Sequence, residues 1–193
     1  MRTVTSILAA LMLTLAIPAT SMAKVWEFDM AHSNVYFSIK HIFSTARGYF
    51  ADFSGTIDLD PEDITSGSIE MTVKTESVDT RITKRDNHLR SDDFFSAARY
   101  PEMTFVSSSI RHEEGDTYMV SGTLTIKDVS RDVEVPMIFH GVKKHPALDK
   151  QVLGIDFDFT VDRMEYGVGT GKFLEMGLVG KDVDVLVTLE MTD

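Results

Sequence analysis

One charged segment, residues 80–101, contains the residue types that could do chemistry. Asp86, His88 and Ser91 supply an acid, a base and a hydroxyl nucleophile within six residues. Hydrolytic triads normally bring these three groups together from separated elements of the fold, so this close spacing argues against that geometry. We therefore predict no catalytic residues in this segment.

The same segment carries a cluster of cations that could receive a polar head group. Its members are Arg81, Lys84, Arg85, His88 and Arg90. Set against Asp86, they leave a local excess of positive charge, and charge-assisted hydrogen bonds from such a cluster would suit a diphosphate or a quinone carbonyl. The alternative is that Arg85 and Asp86 form a structural ion pair while the other cations lie on a solvated helix face.

Metal and thiol chemistry find little support in the sequence. The six histidines include no HExxH motif and no short paired spacing, and the chain has no cysteine. Disulfides, thiolate metal sites and cysteine nucleophiles are thereby excluded. We predict no metal site and no cofactor, and we expect His32, which precedes a strand, to form a local hydrogen bond.

The rest of the chain alternates apolar and polar residues, which is the pattern of half-buried strands. Eight strands are predicted, the first being NVYFSIKH at residues 34–41. The apolar faces of the strands are Val35, Phe37 and Ile39; Phe53, Ile57 and Leu59; Ile69, Met71 and Val73; Phe105; Val120, Leu124 and Ile126; Val133, Val135 and Phe139; Ile155, Phe157, Phe159 and Val161; and Val183, Val185, Val187 and Leu189.

Most of these strands are joined by short turns, as an antiparallel arrangement requires. Eight such strands can close into a barrel, which leaves no exposed edge and an interior that either fills with side chains or holds one ligand. We predict an all-β fold, an extended eight-stranded antiparallel lipocalin-like barrel with short helices in the 80–100 crossover. A two-sheet sandwich is the alternative, because alternation alone does not separate the two.

Two irregular segments interrupt the strands. In the crossover, a turn is expected around residues 84–89, and Ser91 is predicted to cap a following helix with Asp92 and Asp93 in its first turn. Residues 164–177 are rich in glycine and are expected to form a lid or an additional turn of helix. Arg163 is expected to close a barrel end by a cation–π contact with Tyr166.

The N-terminal residues have the pattern of a signal peptide. Arg2 precedes an apolar run at residues 7–17, and Ser21 to Ala23 offer small residues for cleavage. We predict a signal peptide at residues 1–23 and one domain at residues 24–193, exported to the periplasm; an uncleaved anchor is the alternative. The net charge of −11 argues against nucleic acid and against adsorption to anionic lipid.

Several motifs together resemble one known family. They are Trp26, Asp29, His32 and Ser33 in WEFDMAHSNVYFSIKH; GYFADFSG; RDNHLRSDDFFSAARYP followed by Phe105; GTLTIKDVSRDV; and Arg163 with Tyr166 and Gly167. The chain resembles the YceI-like family of polyisoprenoid-binding, lipocalin-like bacterial proteins. Met30 and Asp128 depart from the pattern, since the family often has proline and glycine at these places.

The resemblance implies a periplasmic barrel with a long apolar tunnel for a polyisoprenoid or for the side chain of a quinone, and it does not imply catalysis. The expected tunnel residues are Val35, Phe37, Ile39, Phe50, Phe53, Ile57, Ile69, Met71, Val73, Phe94, Phe95, Phe105, Leu124, Phe139, Phe157, Phe159 and Phe173. The cation cluster is expected to form the polar mouth. We expect this bore to run through the whole molecule.

The leading hypothesis is thus a periplasmic carrier or sequestering protein for an amphiphilic isoprenoid lipid, with no stable membrane insertion. One alternative is an enzyme, or an enzyme accessory, that acts on such a lipid. Another is a barrel with a filled core that binds a protein partner through its charged crossover. The sequence does not decide between a monomer and a homodimer.

Overall fold

A computed structural model describes residues 25–193; the predicted signal peptide lies outside the described residues. The strands are β1 (Val25–Phe28), β2 (Asn34–His41), β3 (Ser44–Phe50), β4 (Phe53–Asp60), β5 (Asp63–Lys74), β6 (Val78–Asp79), β7 (Glu102–His112), β8 (Thr117–Ile126), β9 (Val129–Lys144), β10 (Gln151–Asp162) and β11 (Val179–Thr192). The helices are α1 (Thr83–Arg90) and α2 (Gly171–Glu175), with 3₁₀ turns at Thr75–Ser77 and Arg163–Tyr166.

Eight strands close into an antiparallel barrel. The ring runs β1–β4–β5–β7–β8–β9–β10–β11 and returns to β1, because Glu27 of β1 pairs with Thr192 of β11. The predicted fold class, an all-β eight-stranded antiparallel barrel with short helices, is confirmed. Seven of the ring strands are among those predicted; β1 has only four residues and was not predicted.

The remaining strands extend one edge of β11. β2 pairs with β11 beside β1, as in the register Val35 to Val187, and β3 and β6 follow it outward. The sequence pattern missed β3, whose residues are mostly small or polar. Phe37 of β2 pairs with Gly48 of β3, and a Cβ atom on Gly48 would lie 2.5 Å from the Phe37 ring. At this pair, therefore, the apolar side chain comes from β2, and β3 must carry a glycine.

The crossover helix lies earlier than predicted. The helix expected to begin at Ser91 is absent, and α1 ends there instead. Both the backbone N–H and the hydroxyl of Ser91 donate to the carbonyl of His88, so this side chain satisfies the end of one helix and does not begin another. Ser96, at φ 53°, then takes the left-handed conformation and prevents a further helix.

The interior of the barrel has two halves. One half, the filled half, holds a packed core that includes Trp26, Leu59, Met137, Leu153 and Met191, none more than 2% exposed. The indole N–H of Trp26 donates to the carbonyl of Leu59 at 3.0 Å and fixes the ring inside the barrel. The other half, the hollow half, lies toward the start of β11, beside α1 and residues 163–178.

Candidate functional site: an apolar cavity in the hollow half

A cavity of about 220 Å³ occupies the hollow half of the barrel. It is lined by 27 residues, and all except Tyr36, Thr104 and Arg163 are Val, Ile, Leu, Met or Phe. Most of the wall comes from alternate residues of β2, β5, β8, β9, β10 and β11, because successive strand residues point to opposite faces of the sheet. Such a wall excludes polar molecules and accommodates a hydrocarbon chain.

Thirteen of the seventeen expected tunnel residues line this cavity. They are Val35, Phe37, Ile39, Phe50, Ile69, Met71, Val73, Phe94, Phe95, Phe105, Leu124, Phe157 and Phe159. Phe94 and Phe95 lie in the turn that follows α1, so the crossover contributes aromatic side chains to the wall as well as covering the barrel.

The other four expected residues lie elsewhere. Phe53 and Ile57 belong to the packed core, and Phe139 packs against that core with its ring 6.5 Å from Tyr118. Phe173 stacks on Phe94, with ring centroids 5.5 Å apart, and so supports the wall from behind. Strand alternation identified the inward face of β4 and β9 but carried no information on height along the barrel.

Several wall residues were not among the expected tunnel residues. They are Leu89, Met103, Ile126, Val133, Val135, Val161, Val168, Val179, Val183, Val185 and Val187, together with Tyr36, Thr104 and Arg163. Six of them are valines on strand faces that the alternation identifies, so the face itself is the available signal for these six.

The expectation of a bore through the whole molecule is wrong. The cavity stops where the core of the filled half begins, at residues such as Ile57, Ile155 and Leu189, which are at most 2% exposed. Close packing of these side chains leaves no continuous channel. A ligand tail in this cavity therefore ends inside the barrel.

The expected mouth cluster divides into held and free cations. Arg85 donates to the hydroxyl and carbonyl of Thr80, at 2.8 and 2.9 Å. Arg90 donates to the carbonyls of Glu76 and Val78, both at 2.7 Å. Both side chains therefore connect α1 to the preceding segment.

Asp86 does not pair with Arg85 as the structural alternative proposed. The Asp86 carboxylate is buried and accepts hydrogen bonds from the backbone N–H of Thr80, at 2.8 Å, and from its hydroxyl. Thr80 is thus the common partner of both residues. The interaction orders the start of the crossover without a direct ion pair.

The remaining cations of the cluster are exposed. His88 contacts Asp93, with Nε2 and Oδ2 3.0 Å apart, and its ring lies edge-on to Phe94. The side chains of Arg81 and Lys84 are exposed and form no hydrogen bond or ion pair with any residue that the structure describes. These two are the cluster members available to a ligand.

Arg163 is the charged residue of the cavity wall. It is 4% exposed, and its guanidinium donates to the carbonyls of Val168 and Gly180 at 2.7 Å and of Val179 at 3.3 Å. Burial lowers the pKa of this guanidinium. The expected contact with Tyr166 is not formed; the guanidinium over the Tyr166 ring belongs to Arg131, 5.9 Å from the centroid.

The three residues that could have formed a catalytic relay are each engaged elsewhere. Asp86 binds Thr80, His88 binds Asp93, and the hydroxyl of Ser91 donates to the carbonyl of His88 at 2.7 Å. The first of these bonds orders the start of the crossover, the other two arrange the turn after α1, and the three residues form no acid–base–nucleophile chain with one another.

One group of side chains at the filled end could in principle bind a metal ion. Asp29, His32 and Glu190 bring ligand atoms within 4.8 Å of one another. His32 Nδ1 lies 2.8 Å from Asp29 Oδ2, which is the local hydrogen bond expected from the sequence. That bond raises the pKa of His32 and lowers the pKa of Asp29, and it accounts for the arrangement without a metal.

Within residues 25–193, the helices are all too short or too polar to cross a membrane.

The fold and the site define a class of closed eight-stranded barrels with an apolar cavity and a charged crossover. The YceI-like domain family matches residues 26–191, and the chain belongs to this family. A UPF0312 protein of Staphylococcus epidermidis is 36% identical over 170 residues, which cover 86% of this chain and 96% of that protein.

Solved structures show the same fold. Burkholderia cenocepacia BcnA is 31% identical, with a TM-score of 0.75 over 85% of this chain and 99% of that chain. A polyisoprenoid binding domain from Saccharophagus degradans gives a TM-score of 0.67 over 88% of this chain and 98% of that chain. Its identity is 18%, so this second likeness shows the fold alone.

Proposed function

We propose that this protein binds one long-chain isoprenoid lipid, a polyprenyl compound or an isoprenoid quinone, and carries or sequesters it in the periplasm. The observation that supports this most directly is the apolar cavity, in which 24 of 27 lining residues are Val, Ile, Leu, Met or Phe. Each methylene that leaves water for such a site contributes about 0.8 kcal/mol. A tail of many carbons therefore sets the affinity.

The polar end of the ligand lies toward α1. Phe94 and Phe95 join the cavity wall to the crossover, and the exposed Arg81 and Lys84 stand on the same segment. A phosphate or a quinone carbonyl would accept charge-assisted hydrogen bonds from these two side chains. The head group sets orientation, while the tail supplies most of the binding free energy.

Binding without catalysis suits this site better than the enzyme alternative. The candidate acid, base and hydroxyl are engaged in hydrogen bonds of the crossover, and the cavity wall carries one charged group, Arg163. The filled-core alternative requires a solid interior, which the cavity disfavours. Location in the periplasm follows from the predicted signal peptide.

The proposal is tested by organic extraction of the purified full chain, produced in a bacterium that makes isoprenoid quinones, followed by mass spectrometry. The wild type is expected to release about one isoprenoid lipid per chain. Val185→Trp places a large ring in the cavity and is expected to abolish the bound lipid.

Leu186→Trp is the matched control, because Leu186 is the next residue of β11 and points outward. It should retain the lipid, and circular dichroism should show both variants folded. Wild-type protein free of isoprenoid, or stoichiometric lipid in folded Val185→Trp, would refute the proposal.

A further inference from the structure

Four large apolar side chains are exposed at the hollow end of the barrel. We call them the apolar rim: Ile42, Phe43, Leu174 and Met176. Phe43 is fully exposed at the tip of the turn between β2 and β3, and Met176 is 58% exposed just after α2. Single exposed apolar residues are ordinary, but a group of them at one end marks a contact surface.

The two halves of the apolar rim lie side by side. The backbone N–H of Ile42 donates to the carbonyl of Leu178 at 3.1 Å, and His41 pairs with Val179. Backbone hydrogen bonds connect residues 171–178 with one another; for example, the Leu178 N–H donates to the Phe173 carbonyl at 3.0 Å. The hairpin tip and the segment after α2 therefore form one surface.

This surface adjoins the cavity. Ile39, three residues before Ile42, lines the cavity wall, and so does Val179, which follows Leu178. A hydrocarbon chain that left the hollow half here would pass the apolar rim, because Ile39 and Val179 of the wall are close in sequence to Ile42 and Leu178. The rim thus continues the apolar lining of the cavity to the outside of the molecule.

The turn at Ile42 and Phe43 has a strained backbone and an exposed aromatic ring. Ile42 has φ 52°, a left-handed conformation that is a genuine outlier for a β-branched residue and that Gly or Asn would adopt more easily. Phe43 beside it buries nothing within the chain. Backbone strain together with an exposed ring indicates a role outside the fold.

The charge around the rim differs from that of the whole molecule. Residues 40–47 carry Lys40 and Arg47 and no acidic residue, and Lys172 is exposed on α2 beside Glu175. At the start of β11, Lys181 is balanced by Asp182, and Asp184 faces Ser38, so the cations around the rim exceed the acids by one. The chain as a whole carries −11. An anionic surface attracts a net positive patch and repels the acidic remainder of the protein, so the molecule approaches that surface with the patch in front.

We propose that the apolar rim docks transiently on the anionic surface of a lipid bilayer, with Phe43 and Met176 among the acyl chains and the flanking cations at the phosphates. This inference rests on the proposed function, because it supplies the route by which an isoprenoid tail passes between bilayer and cavity without crossing water. The contact is peripheral, since a few apolar side chains give reversible binding only.

The test is flotation of the full chain with vesicles of phosphatidylethanolamine and phosphatidylglycerol. The wild type is expected to float with the vesicles, and Phe43→Ser combined with Met176→Ser should lower its partition coefficient by about tenfold. Vesicles of phosphatidylcholine alone should bind the wild type more weakly, because they lack the anionic charge.

Leu148→Ser is the matched control. Leu148 is 53% exposed in the turn between β9 and β10, at the filled end of the barrel, so its loss removes about as much apolar area as the loss of Met176 does, but far from the cavity. This variant should float as the wild type does. No flotation of the wild type, or equal flotation of the rim variant, would overturn the proposal.

Two further measurements separate the possible failures. Extraction of the rim variant should still yield bound isoprenoid, because its cavity is intact; an empty wild type refutes the proposed function, whatever the vesicles show. Sedimentation addresses the other occupant of an apolar surface, a second copy of this chain. A dimeric wild type that ignores vesicles and becomes monomeric in the rim variant would overturn bilayer docking.

Discussion

Arg163 is a buried cation whose hydrogen-bond partners are all backbone carbonyls. The acceptors are Val168 in the segment after the 3₁₀ turn and Val179 and Gly180 at the start of β11. Gly169 permits this contact, because a Cβ atom there would lie 2.5 Å from a guanidinium nitrogen of Arg163. The side chain therefore fastens residues 163–170 over the hollow half of the barrel.

Replacing Arg163 by leucine should lower the free energy of unfolding by about 2–4 kcal/mol, because buried carbonyls lose their donor. Urea denaturation measures the change. Arg131→Leu is the control: its guanidinium is exposed and donates to the Glu165 carbonyl at 3.2 Å, so its loss should cost under about 1 kcal/mol. Equal losses in the two variants would contradict a fastening role for Arg163.

The Asp29–His32 pair should make stability depend on pH. Its hydrogen bond raises the pKa of His32 above the usual 6.5, so that the His32 contribution is complete below pH 6.5 and is lost as pH rises through the folded pKa. The same bond lowers the pKa of Asp29 below 3.8, so that the Asp29 contribution is present above pH 3.8 and is lost as pH falls through the folded value. The pair therefore stabilises most between these limits.

NMR titration of the His32 ring tests this pair. Asp29→Asn removes the carboxylate and should lower the His32 pKa, while the fold stays intact because the asparagine oxygen can still accept from the Ala31 N–H. A His32 pKa that is the same in both proteins would mean that the hydrogen bond does not form in solution.

At the scale of elements, two arginines of α1 bind the helix to the segment that precedes it. Arg90 donates to the carbonyls of Glu76 and Val78, and Arg85 to Thr80, so two of the cations expected at the mouth bind the preceding segment instead. The position of α1 in turn places Leu89, Phe94 and Phe95 in the cavity wall.

Arg90→Ala should speed amide hydrogen exchange in residues 83–95 and lower stability by about 1–2 kcal/mol, because two carbonyls lose their donor. Lys84→Ala on the same helix should change neither, since Lys84 is exposed and has no partner among residues 25–193. It should instead weaken binding of a lipid with a phosphate head. Faster exchange in Lys84→Ala, or none in Arg90→Ala, would reverse these assignments.

Sequence reasoning succeeded where one physical signal dominated the element. The long strands β5, β8, β9, β10 and β11 alternate because one face is apolar and the other is wet. The short or glycine-bearing strands β1, β3 and β6 carry too little of that signal. Ser91 was misplaced because a residue with a good capping side chain can satisfy either the end of one helix or the start of the next.

At the scale of the whole molecule, the barrel combines a packed core with a cavity. The filled half supplies stability through side chains such as Trp26 and Met137, and the hollow half is thereby free to be lined for a ligand. Composition does not distinguish the halves, because both use the same aliphatic and aromatic residues. The two halves differ only in the height of their residues along the barrel axis, which the sequence does not show. Phe53 and Ile57 were therefore expected in the tunnel, although they lie in the core.

The pairing of β11 constrains how the chain is made. This strand contacts β10 on one side and both β1 and β2 on the other, so the ring has a gap until residues 179–192 have emerged from the ribosome. Contacts between β1 and β11 join residues more than 160 positions apart. The ring therefore cannot close before β11 is available for pairing, and the barrel stays open until that stage of folding.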